Sequence, residues 1–511
     1  MNEELIEAPP ETPETALSHR KLGVPSIVFF VVAAAAPLLG MTGAVPIAIA
    51  AGNGAAVPGA YLAVGIVLIL FSFGYAAMAL RVTNAGAFFA YVGRGLGVTT
   101  GVGSAFVSVL AYLTIQLAIF GFFAAVLGGQ MNAQFGVDLP WYVWALLGWA
   151  LALALSVLQV DVGAKLLGVL MSIELLSLLI TAAMVFIKGG PEGVNIGASF
   201  SPSNVFAGGF AGPAGIALAF AFASYIGFEA TALYGEEAKE PHKTVPRATF
   251  WAVGLITAFF AFCSLAIVTA LGHTKVVDEV VARSTVDGTP LADPAGVVFS
   301  VAGEYVGSWM PDLMGWLVIT SAFAGLLAFQ NALARYFYAL GRAGVLPRKL
   351  DRVNDRGAPW VGSVTAAVIT LVVILLFVIF DKPETAPIVH MFSWFSGAAV
   401  VAIVFVEILV SIAVIAFFRR HRGEVGIWSS LIAPALAALG LTLGLYLLMS
   451  HFALLAGTAA EGTDPTAQTW ALNGIGWILV LLPFVVFVIG LLVGGVRRDD
   501  ENQDAVANLV T

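Results

Sequence analysis

The stretch 212-GPAGIALAFAFASYIGFEATALYGEEAKEPHKTVPR-247 decides how this chain is read. It opens as an apolar helix, is interrupted at Ser224-Tyr225-Ile226-Gly227-Phe228-Glu229, resumes briefly and closes in a charged turn. A carboxylate in hydrocarbon is costly, so Glu229 must face protein or water rather than lipid. Gly227 beside it lowers the cost of unwinding, and unwound backbone at membrane depth exposes its polar groups to a cavity. A helix broken at a charge marks a transport site near the bilayer midplane. A kinked packing helix whose Glu bonds a neighbour is the plainer alternative.

The surrounding chain is apolar. Of 511 residues, 60% are hydrophobic and 11% charged, with a mean hydropathy of +0.96. Soluble domains carry roughly 25% charged residues, so the composition is that of an all-α polytopic membrane protein. The net charge of -8 gives no basic field for nucleic acid. The single cysteine, Cys263, excludes an intrachain disulfide framework or a Cys-based metal cluster, and no cofactor motif is present. Residues 1–19 are acidic and Pro-rich, unlike a cleavable signal, so the first span is expected to serve as an uncleaved insertion signal.

Apolar runs of spanning length predict twelve helices, at 25–52, 57–80, 100–128, 141–160, 165–187, 213–235, 247–271, 313–340, 361–380, 387–418, 429–450 and 472–496. With the N-terminus inside, 19 of the 23 Lys and Arg fall on the cytoplasmic side, among them Arg20, Lys21, Arg335, Arg422, Arg497 and Arg498. Only Lys188, Lys275, Arg283 and Lys382 are left outside. That imbalance places both termini in the cytoplasm of a cell-membrane protein.

The first span carries a second interruption, Pro37-Leu38-Leu39-Gly40-Met41-Thr42-Gly43. Pro37 removes a backbone hydrogen bond, and Gly40 and Gly43 weaken the helix around Thr42. An ordinary proline kink would look similar. Position tells them apart: helices 1 and 6 are the interrupted ones, and each opens a set of five spans. Five is odd, so the second set crosses the membrane in the opposite sense. Interrupted helices at corresponding positions of inverted halves point to the binding site of a secondary transporter. The chain then divides into a tail (1–20), a first repeat (21–190), a second repeat (191–420), two further helices (421–498) and a second tail (499–511).

Other polar residues stand inside apolar spans. Tyr112 and Gln116 share one face of span 3, either lining a substrate path or joining helices. Glu174 in span 5 and Glu407 in span 10 meet the same cost argument as Glu229, with Glu407 ranked below the other two. Thr320 and Ser321 in span 8 are adjacent hydroxyls that either complete a cation site or bond their own helix carbonyls. Arg335 lies within snorkelling reach of the cytoplasmic interface. The basic, aromatic stretch 81–97 suits an interfacial helix. Within 290–307 a short small-residue helix is expected to lean over the external mouth, too short to span.

FAFASYIGFEATALYGEEAKEPHKTVPRAT resembles the sixth helix and following loop of the amino acid–polyamine–organocation (APC) permeases, with Gly-Phe-Glu in the break and a closing Pro-Arg-Ala. NALARYFYALGRAGVLPRKLDRVNDRGAPW is similar to that family's eighth helix and next loop. The resemblance extends loosely from about residue 20 to 450. It implies a LeuT-like fold of five plus five inverted repeats with two further helices. It also implies a substrate held between Pro37–Gly43 and Ser224–Glu229, with Glu229 at an inner gate. Two departures stand out. Many members have a tight Gly-x-Gly in helix 1 that grips the substrate carboxylate, where this chain has Leu39-Gly40-Met41-Thr42-Gly43. Some have a helix-5 lysine that replaces a sodium ion; that position falls near Leu178 here, one turn after Glu174.

The leading expectation is a secondary active amino acid permease working by alternating access, coupled to H⁺ or Na⁺ or acting as an exchanger. Helix amides would meet the substrate carboxylate, carbonyls and Ser224 its amine, and Phe222, Tyr225 or Phe228 would close over it. The rival within transport is an amine or polyamine carrier. A non-transporting nutrient receptor has the same sequence features. An enzyme or ATP-driven pump has no support, since H-E-x-x-H, G-x-S-x-G and P-loop motifs are all missing. Partners implied are a small-molecule substrate and membrane lipids.

Overall fold

The computed structural model describes residues 22–496 apart from 82–87, 159–160, 235–236, 287, 290, 292, 384, 422 and 424. The two tails, Arg20, Lys21, Arg422, Arg497, Arg498 and part of both the 81–97 stretch and the charged turn therefore lie outside the described residues. Among the described residues the regular elements are helices, with β-pairing confined to isolated bridges. Twelve are long and apolar enough to cross a bilayer. Spans 1 to 6 are Val24–Ala51, Gly54–Ala79, Val98–Phe135, Trp141–Leu158, Gly168–Lys188 and Pro213–Thr231. Spans 7 to 12 are Pro241–Leu271, Trp309–Arg342, Trp360–Phe380, Ala386–Arg420, Trp428–Ser450 and Gly474–Val496. The protein is a multi-pass, all-α membrane protein.

Spans 1, 2, 6 and 7 pack together as one group, and spans 3, 4, 8 and 9 as another. Span 5 bridges spans 1, 7 and 8; span 10 lies against spans 2, 3, 11 and 12. Burial ranks them. The apolar window of span 6 is 94% buried, against 28% in spans 9 and 12. Span 6 thus has no lipid face, and its Glu229 is only 1% exposed. The cost of a charge in hydrocarbon is avoided by enclosing it in protein.

Both interruptions are present, and one is displaced from its expected place. Span 1 runs as a helix over Val24–Ala35, breaks at Ala36 (φ 41°, ψ 68°) and restarts as Pro37–Ala51. Residues 37–43 are therefore the first turns of a new helix, not the unwound segment. The reason is the proline. Its ring disfavours the right-handed helical region for the preceding residue, so the break falls on Ala36, while Pro37 itself suits a first helical position. Span 6 is helical over Pro213–Ala223, turns at 224–227 and continues as a 3₁₀ helix over Phe228–Tyr234. Gly227, at φ +108°, takes a backbone conformation open to glycine alone at little cost.

Two shorter elements differ in kind. Phe88–Leu96 is a helix, but not an interfacial one: Phe88, Phe89 and Tyr91 are buried against spans 3 and 10. Its aromatic residues fill core rather than headgroup space. Val276–Ser284 and Ala295–Tyr305 are short helices that pack on the second half of span 1, where a helix over the external mouth was expected.

Candidate transport site

The two breaks face one another. A Cβ on Gly227 would stand 2.9 Å from Cβ of Ala34 and 3.2 Å from its carbonyl carbon, so the backbone of span 6 rests directly on the end of the first half-helix. Below them the contact continues. Phe30 stacks on Tyr234 with ring centroids 5.2 Å apart. Leu22 N–H donates to Glu237 O (3.0 Å), and Lys239 N–H to Leu22 O (2.9 Å). The first half of span 1 is thereby tied to the segment that follows span 6.

Each break also aims a backbone donor at a carboxylate. The restart at Pro37 leaves the first amides of a helix without intrahelical acceptors. Leu38 N–H donates to Oε1 of Glu174 at 2.9 Å, and Ser321 Oγ donates to the same oxygen at 2.9 Å. Glu174 thus joins span 5, the break in span 1 and span 8 at one point. In span 6, Gly227 N–H donates to Oε2 of Glu229 at 2.8 Å, and Tyr112 Oη donates to Oε1 at 3.0 Å. Tyr75 Oη donates to the Glu229 carbonyl at 2.7 Å, satisfying backbone that the turn leaves without a helical partner.

The remaining candidates separate. Thr320 donates to its own Leu317 carbonyl, so the adjacent hydroxyls diverge and only Ser321 reaches Glu174. Thr42 likewise bonds the Leu38 carbonyl at 2.7 Å. Met41 lines an apolar crevice with Leu178, Thr181, Cys263 and Ile267, away from span 6. Leu39, Gly40 and Gly43 are half-buried, and a Cβ on Gly43 would meet nothing within 4 Å. Gly40 lets span 1 approach Phe260, whose ring would stand 2.7 Å from a Cβ there. Ser224 pairs with Tyr61 Oη at 3.0 Å, and Ile226 is buried beside it. Tyr225 Oη bonds Tyr61 O and Thr257 Oγ1 at 2.8 and 3.1 Å. Phe222 lies against Gly444 of span 11, and Phe228 meets Phe71 edge-on at 5.9 Å. These three aromatic rings are held to the walls in this conformation. Gln116 joins helices, donating to Gln330 Oε1 at 2.5 Å, and Gln330 in turn donates to Ser363 O.

Arg335 does not snorkel. It is 7% exposed and makes a two-pronged ion pair with Glu237, Nε to Oε1 at 2.6 Å and Nη2 to Oε2 at 3.0 Å. Its guanidinium lies 4.9 Å from the centre of the Tyr234 ring. Sequence reasoning missed Glu237 because a dense charged turn reads as a solvated loop. The signal available was Arg335, set within an apolar run of span 8, whose charge called for an acidic partner. Tyr61 and Tyr75 were missed too, since an aromatic residue in an apolar span carries no mark of its hydroxyl's partner.

With this arrangement in view, comparison with known proteins is decisive for the family. The family model described as "Amino acid permease" matches residues 22–480. The chain belongs to the amino acid permease family. Among curated proteins it is 29% identical to the branched-chain amino acid permease BcaP of Lactococcus lactis, over 32% of this chain and 33% of that one. It is 27% identical to the histidine permease of Saccharomyces cerevisiae, over 50% of this chain and 41% of that protein. The lysine-specific permease of the same yeast is 26% identical over 39% and 31% respectively. These matches span between about a third and two-fifths of each relative's length. The permease resemblance carried by the span 6 and span 8 motifs is borne out at the level of the family.

Proposed function

We propose that this permease-family member is a secondary active transporter of amino acids, with both termini cytoplasmic and the two five-span sets forming inverted repeats. One observation carries the reading: two interrupted helices meet break to break, and each break turns a backbone amide toward a buried carboxylate. Substrate would bind between Pro37–Gly43 and Ser224–Glu229, where a Cβ on Gly43 would meet open space. The spans 1, 2, 6 and 7 group would rock against spans 3, 4, 8 and 9. Glu174 bridges the two groups through Leu38 and Ser321, and so senses their relative position. Leu38 N–H and Ser321 Oγ both donate to Oε1, so a proton arriving at Oε2 would weaken Oε1 as an acceptor for both, which couples proton uptake to loosening of Leu38 and Ser321. Proton coupling is favoured over sodium because Thr320 and Ser321 turn to different partners, the Leu317 carbonyl and Glu174, and do not converge on one point.

A second reading, amine transport, is favoured by one feature. The Leu38 amide is already engaged by Glu174, which leaves fewer helix-terminal donors for a substrate carboxylate. Relatives named for branched-chain amino acids, histidine and lysine suggest the panel for the test. Uptake of labelled leucine, histidine, lysine and their decarboxylated amines would be measured in proteoliposomes under an imposed proton or sodium gradient. Proton-driven uptake of an amino acid, lost in Glu174→Gln with exchange retained, supports the proposal. Competition by the amines alone moves the substrate class. Saturable binding without counterflow identifies a receptor. A fully gradient-driven Glu229→Gln variant would make Glu229 structural.

A further inference from the structure

Glu407, in the middle of span 10, is 2% exposed. Its backbone carbonyl accepts from Ser411 Oγ at 2.9 Å, while its carboxyl group has no hydrogen-bond partner among the described residues. Glu174 and Glu229 each have two donors; Glu407 has none. The elements packed against span 10 carry several titratable groups. They are Tyr61 and Tyr75 on span 2, Tyr91 and Arg94 on Phe88–Leu96, Tyr112 on span 3, Tyr446 on span 11, His451 after it, and His390 at the head of span 10 itself. Tyr61, Tyr75 and Tyr112 are bonded to Ser224 or Glu229, and Arg94 makes contacts of its own.

An ionised carboxylate that is buried and without donors is strongly disfavoured. Neutralisation by a proton is the usual relief. We propose that Glu407 is a proton-carrying site of this protein, protonated when no substrate is bound. It takes one proton from water and returns one to water, with no other bond made or broken. The inference rests on the transport reading only for the coupling role; protonation itself is independent of substrate.

The test has two arms on the full chain reconstituted in liposomes. Infrared difference spectra, recorded without substrate as pH is stepped from acid to alkaline, should show a buried protonated-carboxyl band. Glu407→Gln should abolish that band, and Glu407→Asp should restore it with a shift. An unchanged band in Glu407→Gln overturns the proposal. So does the absence of such a band at every pH, which would mean an ionised carboxylate waiting for a ligand cation. In the second arm, Glu407→Gln should lose proton-driven accumulation of whichever panel amino acid the wild type takes up, while keeping counterflow. Full proton drive in that variant overturns the coupling role. No uptake of any panel member by the wild type defeats the transport reading and leaves the infrared result standing. Retained counterflow or, failing that, an unchanged gel-filtration profile shows that the variants fold.

Discussion

Replacing Arg335 by glutamine should open the end of the molecule that the charge distribution places in the cytoplasm. The Arg335–Glu237 pair connects span 8 to the segment after span 6, and that segment is bonded through Leu22 to the start of span 1. The two side chains are 8% and 10% exposed, so solvent screens them little. Removing one partner of a buried pair leaves the other charged and desolvated, at a cost of about 3–5 kcal/mol. That penalty applies only while Glu237 remains enclosed, so it disfavours the closed arrangement relative to an open, hydrated one. At about 1.4 kcal/mol per tenfold, the open-to-closed ratio rises at least about a hundredfold. A reporter follows from the structure. Gly43→Cys adds a side chain where a Cβ meets nothing within 4 Å, in a Cys263→Ser background. Its rate of modification by a maleimide from the cytoplasmic side should rise by that factor in Arg335→Gln and in Glu237→Gln. The double variant, which strands no charge, should return to within about tenfold of the starting rate. If both single variants label at the original rate, the pair does not hold this end shut.

Three further outcomes follow from the geometry. Gly227→Ala places a methyl group 2.9 Å from Ala34 in a left-handed backbone and should destabilise the protein by about 2–5 kcal/mol, read as a lower unfolding midpoint in detergent. Gln116→Leu leaves Gln330 without its buried donor and should cost about 1–3 kcal/mol by the same assay, whereas replacing both by leucine should recover much of it. At the end of the molecule that the charge distribution places outside, two hydrogen bonds from Thr274 hold the half-buried Glu192 carboxyl below its ordinary range, with smaller help from His273 and Lys275. A depressed carboxyl favours the folded cap above the usual carboxylate range and ceases to as pH falls through it. Hydrogen exchange at 188–196 should therefore quicken in acid, and Glu192→Gln should remove that acid dependence.

The residues that fixed the architecture in advance are those whose effects are local. Apolar runs set the spans because length and hydropathy act on each helix by itself. Gly227 and Pro37 announced the breaks because φ freedom and a missing N–H are properties of single residues. Even the displacement of the first break to Ala36 follows from the proline next door. The partners could not be read this way. Glu174 meets Leu38 and Ser321 across 136 and 147 residues, and Glu237 meets Arg335 across 98. The sequence showed that buried carboxylates must find relief, since that is a matter of solvation. Only the packing of spans against one another decided which of them received donors, which an arginine, and why Glu407 received neither.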